Sequence, residues 1–112
     1  MNKLLTIAAL FATVGCHAGE QFKVTTAIYA DNRLVATPTV VLDADQQARV
    51  ANDRFDLTLT VSRNPDQTAK VVTHVKVGAQ QMSPIIHVTL DKPATIEIGT
   101  QKLELQVSAV AP

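Results

Sequence analysis

The sequence contains one cysteine, no tryptophan and only 4% aromatic residues. A single cysteine cannot form a disulfide within the chain, so the fold has to be stabilised by an apolar core without covalent cross-links. Aromatic side chains are the platforms on which single-stranded nucleic acid stacks, and a protein with so few of them lacks that kind of surface. A disulfide framework and a base-stacking site are therefore excluded.

An excess of charge of either sign is also missing, because 10 Lys and Arg residues are balanced by 10 Asp and Glu residues. Binding to a phosphate backbone needs basic groups gathered in one place, and the chain has no Lys/Arg run. There is no glycine-rich phosphate loop and no Cys/His group with the spacing of metal ligands. We expect a protein without enzymatic activity, without a cofactor and without a nucleic-acid partner.

The N-terminus has the three parts of an export signal. Residues 1–3 are a short positive start, residues 4–14 are an uninterrupted apolar run, and residues 15–18 are mostly small. The apolar run is too short for a transmembrane helix, which takes about 20 residues. We predict a signal peptide over residues 1–18, a single mature domain over residues 19–112 and a periplasmic location.

An alternative processing route depends on the only cysteine. Thr13, Val14, Gly15 and Cys16 resemble a bacterial lipobox, in which Cys16 becomes the lipidated first residue. Gly15 suits this motif, whereas Thr13 stands where leucine is usual. Cleavage after Ala18 predicts a protein free in the periplasm, and modification of Cys16 predicts a lipid anchor in the outer membrane.

The mature chain contains an internal repeat. Residues 36–62 align with residues 82–108 without a gap at an offset of 46, and an upstream match, which includes Lys23 with Lys70, follows after a one-residue gap. Identical residues at the offset of 46 are Pro38/Pro84, Asp45/Asp91, Ala48/Ala94, Leu57/Leu103, Leu59/Leu105, Val61/Val107 and Ser62/Ser108. We infer two repeats, over about 22–62 and 69–108.

Both repeats alternate apolar and polar residues with the period of a β-strand, and no window after residue 18 has helical periodicity. Strands that are apolar on one face must bury it against a second sheet. The sequence predicts an all-β fold, a small antiparallel β-sandwich of about eight short strands built from two meander-like repeats of about 46 residues. A small barrel is the alternative.

Candidate catalytic and metal sites are sparse. Ser83, His87 and Asp91 occur in the order of a catalytic triad, but residues four apart on one strand are separated by about 13 Å, too far for hydrogen bonding. His74 and His87 are predicted on the outward faces of neighbouring strands, where two imidazoles give an incomplete metal shell. A weak surface metal site at His74 and His87 is the alternative function.

We expect a non-enzymatic, exported protein that acts through protein–protein contacts in the bacterial envelope, as an accessory or assembly component or as an inhibitor. Its partner would be another envelope protein. The alternative is a small periplasmic metal-binding protein. Three polar segments, predicted to be a loop, a linker and a turn, are the candidate contact sites: Asp31, Asn32, Arg33; Arg63, Asn64; and Gln80, Gln81, Met82.

Overall fold

The computed structural model of the protein describes residues 20–110, which form ten β-strands and no helix. The strands are β1 (Gln21–Ala30), β2 (Arg33–Ala36), β3 (Thr39–Asp43), β4 (Gln47–Ala51), β5 (Asp56–Arg63), β6 (Thr68–Val77), β7 (Gln80–Met82), β8 (Ile85–Thr89), β9 (Ala94–Ile98) and β10 (Gln101–Ala109). The predicted signal peptide and Cys16 lie outside the described residues. Within those residues no helix could span a bilayer.

The strands form two antiparallel sheets of five strands each, which enclose one hydrophobic core. In sheet A the order is β2-β1-β10-β9. β3 lies on the same side of β1 as β2 but pairs with the opposite end of β1. In sheet B the order is β4-β5-β6-β7. β8 lies on the same side of β6 as β7 but pairs with the opposite end of β6. The predicted all-β sandwich is confirmed. The two strands beyond the expected eight are β2 and β7, which are too short to leave an alternating pattern in the sequence.

The chain builds its two sheets from corresponding series of strands, β1–β5 and β6–β10. Sheet A contains β1, β2 and β3 of the first series with β9 and β10 of the second, and sheet B contains the complementary set. The chain therefore crosses between the sheets after β3 and again after β8. Each sheet is a composite of both repeats, so neither repeat has a sheet of its own.

Corresponding hydrogen bonds show how closely the two series agree. Thr26 donates from its hydroxyl (2.7 Å) and its amide (3.0 Å) to the carbonyl of Pro38, and Thr73 donates in the same way to Pro84 (2.8 and 3.1 Å). These hydrogen bonds satisfy the two buried threonine hydroxyls, and burying a hydroxyl without a hydrogen bond would cost free energy. The two prolines are thus acceptors at equivalent places where β3 and β8 begin.

The two crossovers are also equivalent. Asp45 and Asp91 adopt left-handed backbone angles (φ 64° and 65°), a conformation in which Asp is tolerated in turns. Their amides donate to the carbonyls of Val61 and Val107, each at 2.8 Å. These bonds link each crossover to the strand that it approaches, and they explain the recurrence of Asp at the repeat offset.

The core is made of the inward series of every long strand and contains mainly Val, Leu and Ile. Both of its phenylalanines lie in the first series, where Phe22 corresponds to Ala69 and Phe55 corresponds to Gln101. Gln101 is only 5% exposed, and its Nε2 has no hydrogen-bond partner. Fully buried side chains of at least the size of valine are Phe22, Val24, Ile28, Leu57, Leu59, Val61, Val71, Val75, Leu103 and Val107.

Two of the predicted connections need correction. Gln80, Gln81 and Met82 were predicted as a turn but form β7, in which Met82 pairs with Val75 and is buried (5% exposed). Asp31 and Asn32 make a two-residue hairpin turn with positive φ at both positions, and Arg33 already begins β2. The short strands were missed because three or four residues do not establish a period.

Candidate functional site

The outward side of sheet B carries two exposed apolar side chains next to each other. Val72 on β6 and Ile85 on β8 are register partners, and they are 38% and 62% exposed. Cross-strand neighbours have their Cβ atoms about 5 Å apart, so the two side chains form one apolar patch. The equivalent positions of sheet A are Thr25 and Thr39, which are also register partners. At these equivalent positions only sheet B has an apolar pair, and the exposed apolar residues of sheet A include Leu34 on β2 and Val41 on β3.

Basic side chains lie on the same side of sheet B as this patch. Lys70 and His87 are register partners in the row next to Val72 and Ile85, and Lys76 lies farther along β6 on the same side. We call this surface the basic–apolar face and define it by Lys70, Val72, Lys76, Ile85 and His87. It contains one apolar row, Val72 with Ile85, next to one basic row, Lys70 with His87.

The outward charges of the two sheets differ. In the strands of sheet B, three cations face outward with the carboxylate of Asp56 as their counterpart. In the strands of sheet A, two outward lysines are accompanied by three carboxylates. The outward cations are Arg49, Lys70 and Lys76 in sheet B and Lys23 and Lys102 in sheet A, and the sheet A carboxylates are Asp43, Glu97 and Glu104. The outward side of the sheet B strands thus carries two more positive than negative charges, and that of the sheet A strands carries one more negative than positive charge.

One ion pair bounds the basic–apolar face on its β4 side. The guanidinium of Arg49 donates to both carboxylate oxygens of Asp56, from Nε at 3.0 Å and from Nη2 at 2.6 Å. These hydrogen bonds hold the pKa of Asp56 below its usual value, and the nearby His74 and Lys76 act in the same direction. Asp56 is also the register partner of Lys76, whereas the β5 partner of Lys70 is the uncharged Ser62. Lys70 is therefore the outward cation of sheet B that lies farthest along β6 from this carboxylate.

The two histidines lie on the outward side of neighbouring strands, but they are not cross-strand neighbours. His87 is the register partner of Lys70, whereas His74 is four residues farther along β6. Four residues of a strand span about 13 Å, which is too long for two ligands of one metal ion. Among residues 20–110 there is no group of three or more His, Cys, Asp or Glu side chains that could hold a metal ion.

Each histidine has a different neighbour. His74 Nδ1 lies 2.7 Å from Ser83 Oγ, and His87 Nδ1 lies 3.5 Å from the side-chain nitrogen of Asn64. A serine activated by histidine also needs a group that orients the ring and donors that stabilise an oxyanion. Within the described part of the chain no carboxylate hydrogen-bonds to His74. The contact between His74 and Ser83 joins β6 to the residue before Pro84.

The predicted contact residues Arg63 and Asn64 bind within the protein. Arg63 forms an ion pair with Glu20 and also approaches Gln67 Oε1 at 3.4 Å. Asn64 donates from its side chain to Thr68 Oγ1 at 2.9 Å. The side chains of both residues in the β5–β6 connection therefore already form contacts with other residues of the protein.

The other predicted segments meet at the opposite end of the sandwich. The Asp31 amide donates to the Thr100 carbonyl at 2.9 Å, and Gln80 approaches Asp31 and Thr100 with side-chain contacts of 3.4 and 3.5 Å. Gln81 and Arg33 are exposed, whereas Met82 belongs to the core. The structure therefore brings two of the three segments together, but as a cluster of turns.

An open cleft of about 230 Å³ lies beside these turns, on the outward side of sheet A. Tyr29, Asn32, Glu97 and Lys102 are among its lining residues, and Lys102 Nζ lies 4.3 Å from the centre of the Tyr29 ring. Gln101 also borders the cleft, but its side chain belongs to the inward series of β10. The cleft is smaller than ligand pockets usually are, which span about 300–1,000 Å³.

Sequence reasoning missed the basic–apolar face, although a local signal was present. Val71 and Val72, and likewise Ile85 and Ile86, are apolar doublets inside alternating segments. Strand geometry sends neighbouring side chains to opposite faces, so one member of each doublet has to face outward. Nothing in the sequence shows that the two outward members are register partners, because their pairing depends on the tertiary fold.

Comparisons with known proteins found no match to this chain among protein-family models, curated proteins or solved structures.

Proposed function

We propose that this protein is a non-enzymatic, exported component of the bacterial envelope that acts through protein–protein contacts, as an accessory or assembly factor or as an inhibitor. The observation that carries the proposal is the exposed pair Val72 and Ile85 on sheet B. Full burial of such a side chain contributes about 1.5–3 kcal/mol, which makes an exposed pair an anchor for a partner.

The surroundings of the pair support a protein as the partner. Lys70 lies in the row next to the pair and Lys76 lies farther along β6, and charge of one sign speeds the encounter and orients the partner. Interfaces typically combine an apolar centre with a polar rim. The basic–apolar face has this arrangement, and it matches a partner with an apolar side chain surrounded by carboxylates.

Affinity capture from periplasmic extract tests the proposal. The bait is the protein itself, compared with a double variant, Val72→Thr plus Ile85→Thr. The matched control is Val41→Thr, because Val41 is an exposed apolar residue (58%) on the outward side of sheet A. We expect one discrete partner with the unaltered protein and with Val41→Thr, and its loss with the double variant.

Binding to the purified partner then measures how much affinity the apolar pair contributes. Titration calorimetry should show affinity reduced at least about tenfold by the double variant, since about 1.4 kcal/mol of lost apolar contact corresponds to that factor. Equal affinity of the double variant and the unaltered protein would place the contact elsewhere and refute the proposed surface.

The proposed export is tested at the N-terminus. Mass spectrometry of the protein isolated from the envelope should find either a free N-terminus at Gly19 or an acylated Cys16, according to the two processing routes. A Cys16→Ser variant should release the protein from the membrane fraction only if Cys16 is acylated. Retention of residues 1–18 in the isolated protein would contradict export.

A further inference from the structure

Strand β8 is an open edge of sheet B. It pairs with β6, and within residues 20–110 it has no second partner strand. The hydrogen bonds that bracket the strand establish which backbone groups are free. Thr73 donates to Pro84 (3.1 Å), and Leu90 donates to Gln67 (3.1 Å). Both pairs are in register with the β6–β8 ladder.

In an antiparallel ladder, hydrogen-bonded pairs alternate with pairs that are not bonded to each other. Ile86 and Val88 fall two and four residues from Pro84, so their backbone groups face β6. The amides of Ile85, His87 and Thr89 consequently point away from β6. They form a row of donors along the open edge, with the carbonyls of Ile85 and His87 as acceptors between them.

Natural proteins protect open edges with charged residues, because such edges otherwise pair with other chains. The edge strands of five residues in the described structure are β3, β4, β8 and β9. Three of them contain a charged residue: Asp43 in β3, Arg49 in β4 and Glu97 in β9. β8 alone contains no Asp, Glu, Lys or Arg, so this edge is the one left without that protection.

We propose that β8 accepts an extended segment of a partner protein, which adds to sheet B as a further strand. This inference rests on the proposed function and specifies how the basic–apolar face is used. The added strand would receive backbone hydrogen bonds from the β8 edge and would extend the rows of outward side chains that cross β6 and β8.

The rows predict the side chains of the added segment. One row contains Val72 and Ile85, so its next position favours an apolar residue. The adjacent row contains Lys70 and His87, so its next position favours a carboxylate. Outward residues of a strand are two apart in sequence. The partner segment should therefore have an apolar residue and an acidic residue separated by one position.

The same rows argue against a second copy of this chain at the edge. Antiparallel pairing of two β8 strands about His87 would place the two His87 side chains opposite each other, with one Lys70 at either end of the same row. That row contains no carboxylate, because the other register partner of Lys70 is Ser62. An acidic segment supplies the counter-charge for Lys70 that a second copy lacks.

A peptide provides the probe. It is acetylated and amidated, about ten residues long to match a long strand, and threonine alternates in it with isoleucine and glutamate. We expect binding to slow hydrogen exchange at the amides of Ile85, His87 and Thr89, measured by NMR. A peptide with lysine in place of glutamate should bind at least about tenfold more weakly, because it places a second positive charge in the row of Lys70 and His87.

A proline variant tests the backbone contact. His87→Pro removes an amide that points away from β6, a position at which an edge strand tolerates proline. His87→Val keeps the amide and removes the imidazole, and Val41→Pro is the matched change on β3, since Val41 corresponds to His87. We expect peptide affinity to fall about tenfold in His87→Pro and to be retained in Val41→Pro.

Folding of each variant is checked by its thermal midpoint, and a second arm does not depend on the variant. Methylation of the peptide backbone nitrogens that face β8 should abolish binding to the unaltered protein, because it blocks the hydrogen bonds of strand addition. Unchanged exchange at Ile85, His87 and Thr89, or full binding by the methylated peptide, would overturn the proposal.

The two proposals fail in different ways. If the natural partner is lost with Val72→Thr plus Ile85→Thr but binds His87→Pro at full affinity, the face is used without strand addition. Self-association that depends on protein concentration and is lost in His87→Pro would assign the edge to a second copy, and it would also overturn the proposal. Sedimentation velocity distinguishes that outcome.

Discussion

The two sheets are built from corresponding strands, yet their outward sides have different chemistry. Sheet A has Thr25 beside Thr39 where sheet B has Val72 beside Ile85. Sheet A also has Val41 where sheet B has His87. Inward positions agree far better, as the buried pairs Leu57/Leu103 and Val61/Val107 show. Packing against the core constrains the inner positions, whereas the exposed outer positions tolerate side chains of different chemistry.

The core contains its own difference between the two series. Phe55 is buried in the core. The corresponding residue of the second series, Gln101, is also buried, and its Nε2 has no hydrogen-bond partner. A buried donor without a partner costs about 1–3 kcal/mol. The first series thus supplies both phenylalanines of the core, and the second series has a polar side chain at one of the corresponding positions.

The largest expected effect concerns the equivalence of the two series. Leu57→Ala and Leu103→Ala should each lower the free energy of unfolding by about 2–5 kcal/mol, because both side chains are fully buried at corresponding positions. Urea denaturation measures both values. We expect them to agree within about 1 kcal/mol. A cost twice as large in one series would show that the two halves of the core are not energetically equivalent.

The next effect sharpens the difference in the core. Gln101→Met should raise the free energy of unfolding by about 1 kcal/mol, since it removes the unpartnered donor and keeps the volume. Gln106→Met is the control on the outward side of the same strand, where changes stay within about 0.5 kcal/mol. No gain from Gln101→Met would indicate that Nε2 is hydrated in solution.

Substitutions on the outward sides of the sheets should change the free energy of unfolding less than substitutions in the core. The double variant Val72→Thr plus Ile85→Thr should change the free energy of unfolding by less than about 0.5 kcal/mol per site, because neither side chain is buried. The reciprocal variant Thr25→Val plus Thr39→Ile places an apolar pair on sheet A. We expect it to gain no partner binding, since Val41 replaces the histidine of the basic row. Binding through sheet A would show that apolar area alone suffices.

The smallest effect is the acid dependence of sheet B. The lowered pKa of Asp56 means that its ion pair with Arg49 stabilises the fold above the unfolded-state pKa, about 3.9. This contribution is lost as the pH falls through the lower pKa of the folded state. Asp56→Asn should therefore be slightly less stable than the unaltered protein at pH 6, and the difference should shrink as the pH is lowered below about 3.9 in denaturation experiments. A constant difference across that range would contradict the assignment.

Part of this structure was predictable from local patterns. Alternation of apolar and polar residues predicted the β class and the inward series, and the recurrence of Pro, Asp and Leu predicted the repeat. Gly99 adopts positive φ (60°) between β9 and β10, as the first position of a two-residue hairpin turn requires, and glycine is the residue that takes this conformation most readily. The short strands β2 and β7 were missed because three or four residues are too few to show a period.

The candidate site was not predictable in the same way. Ile85 stands in an apolar doublet with Ile86, so the sequence does not show which of the two is exposed. The residues of the three predicted polar segments mostly form contacts within the protein. Polarity in a connection indicates exposure, but Arg63 and Asn64 use their polar groups to hold the chain. An apolar residue on the outward side of a strand is the more informative signal, and it becomes visible once the faces are assigned.

The sequence alone determined the class of fold, its repeat and the side of each long strand that becomes buried. These follow from the two-residue period of a strand and from the free energy of burying apolar surface. The tertiary structure decided that each sheet combines both repeats, that Val72 meets Ile85 and that β8 ends as an open edge. Those features depend on pairing between distant segments, and an alternating pattern does not specify which strand lies beside which.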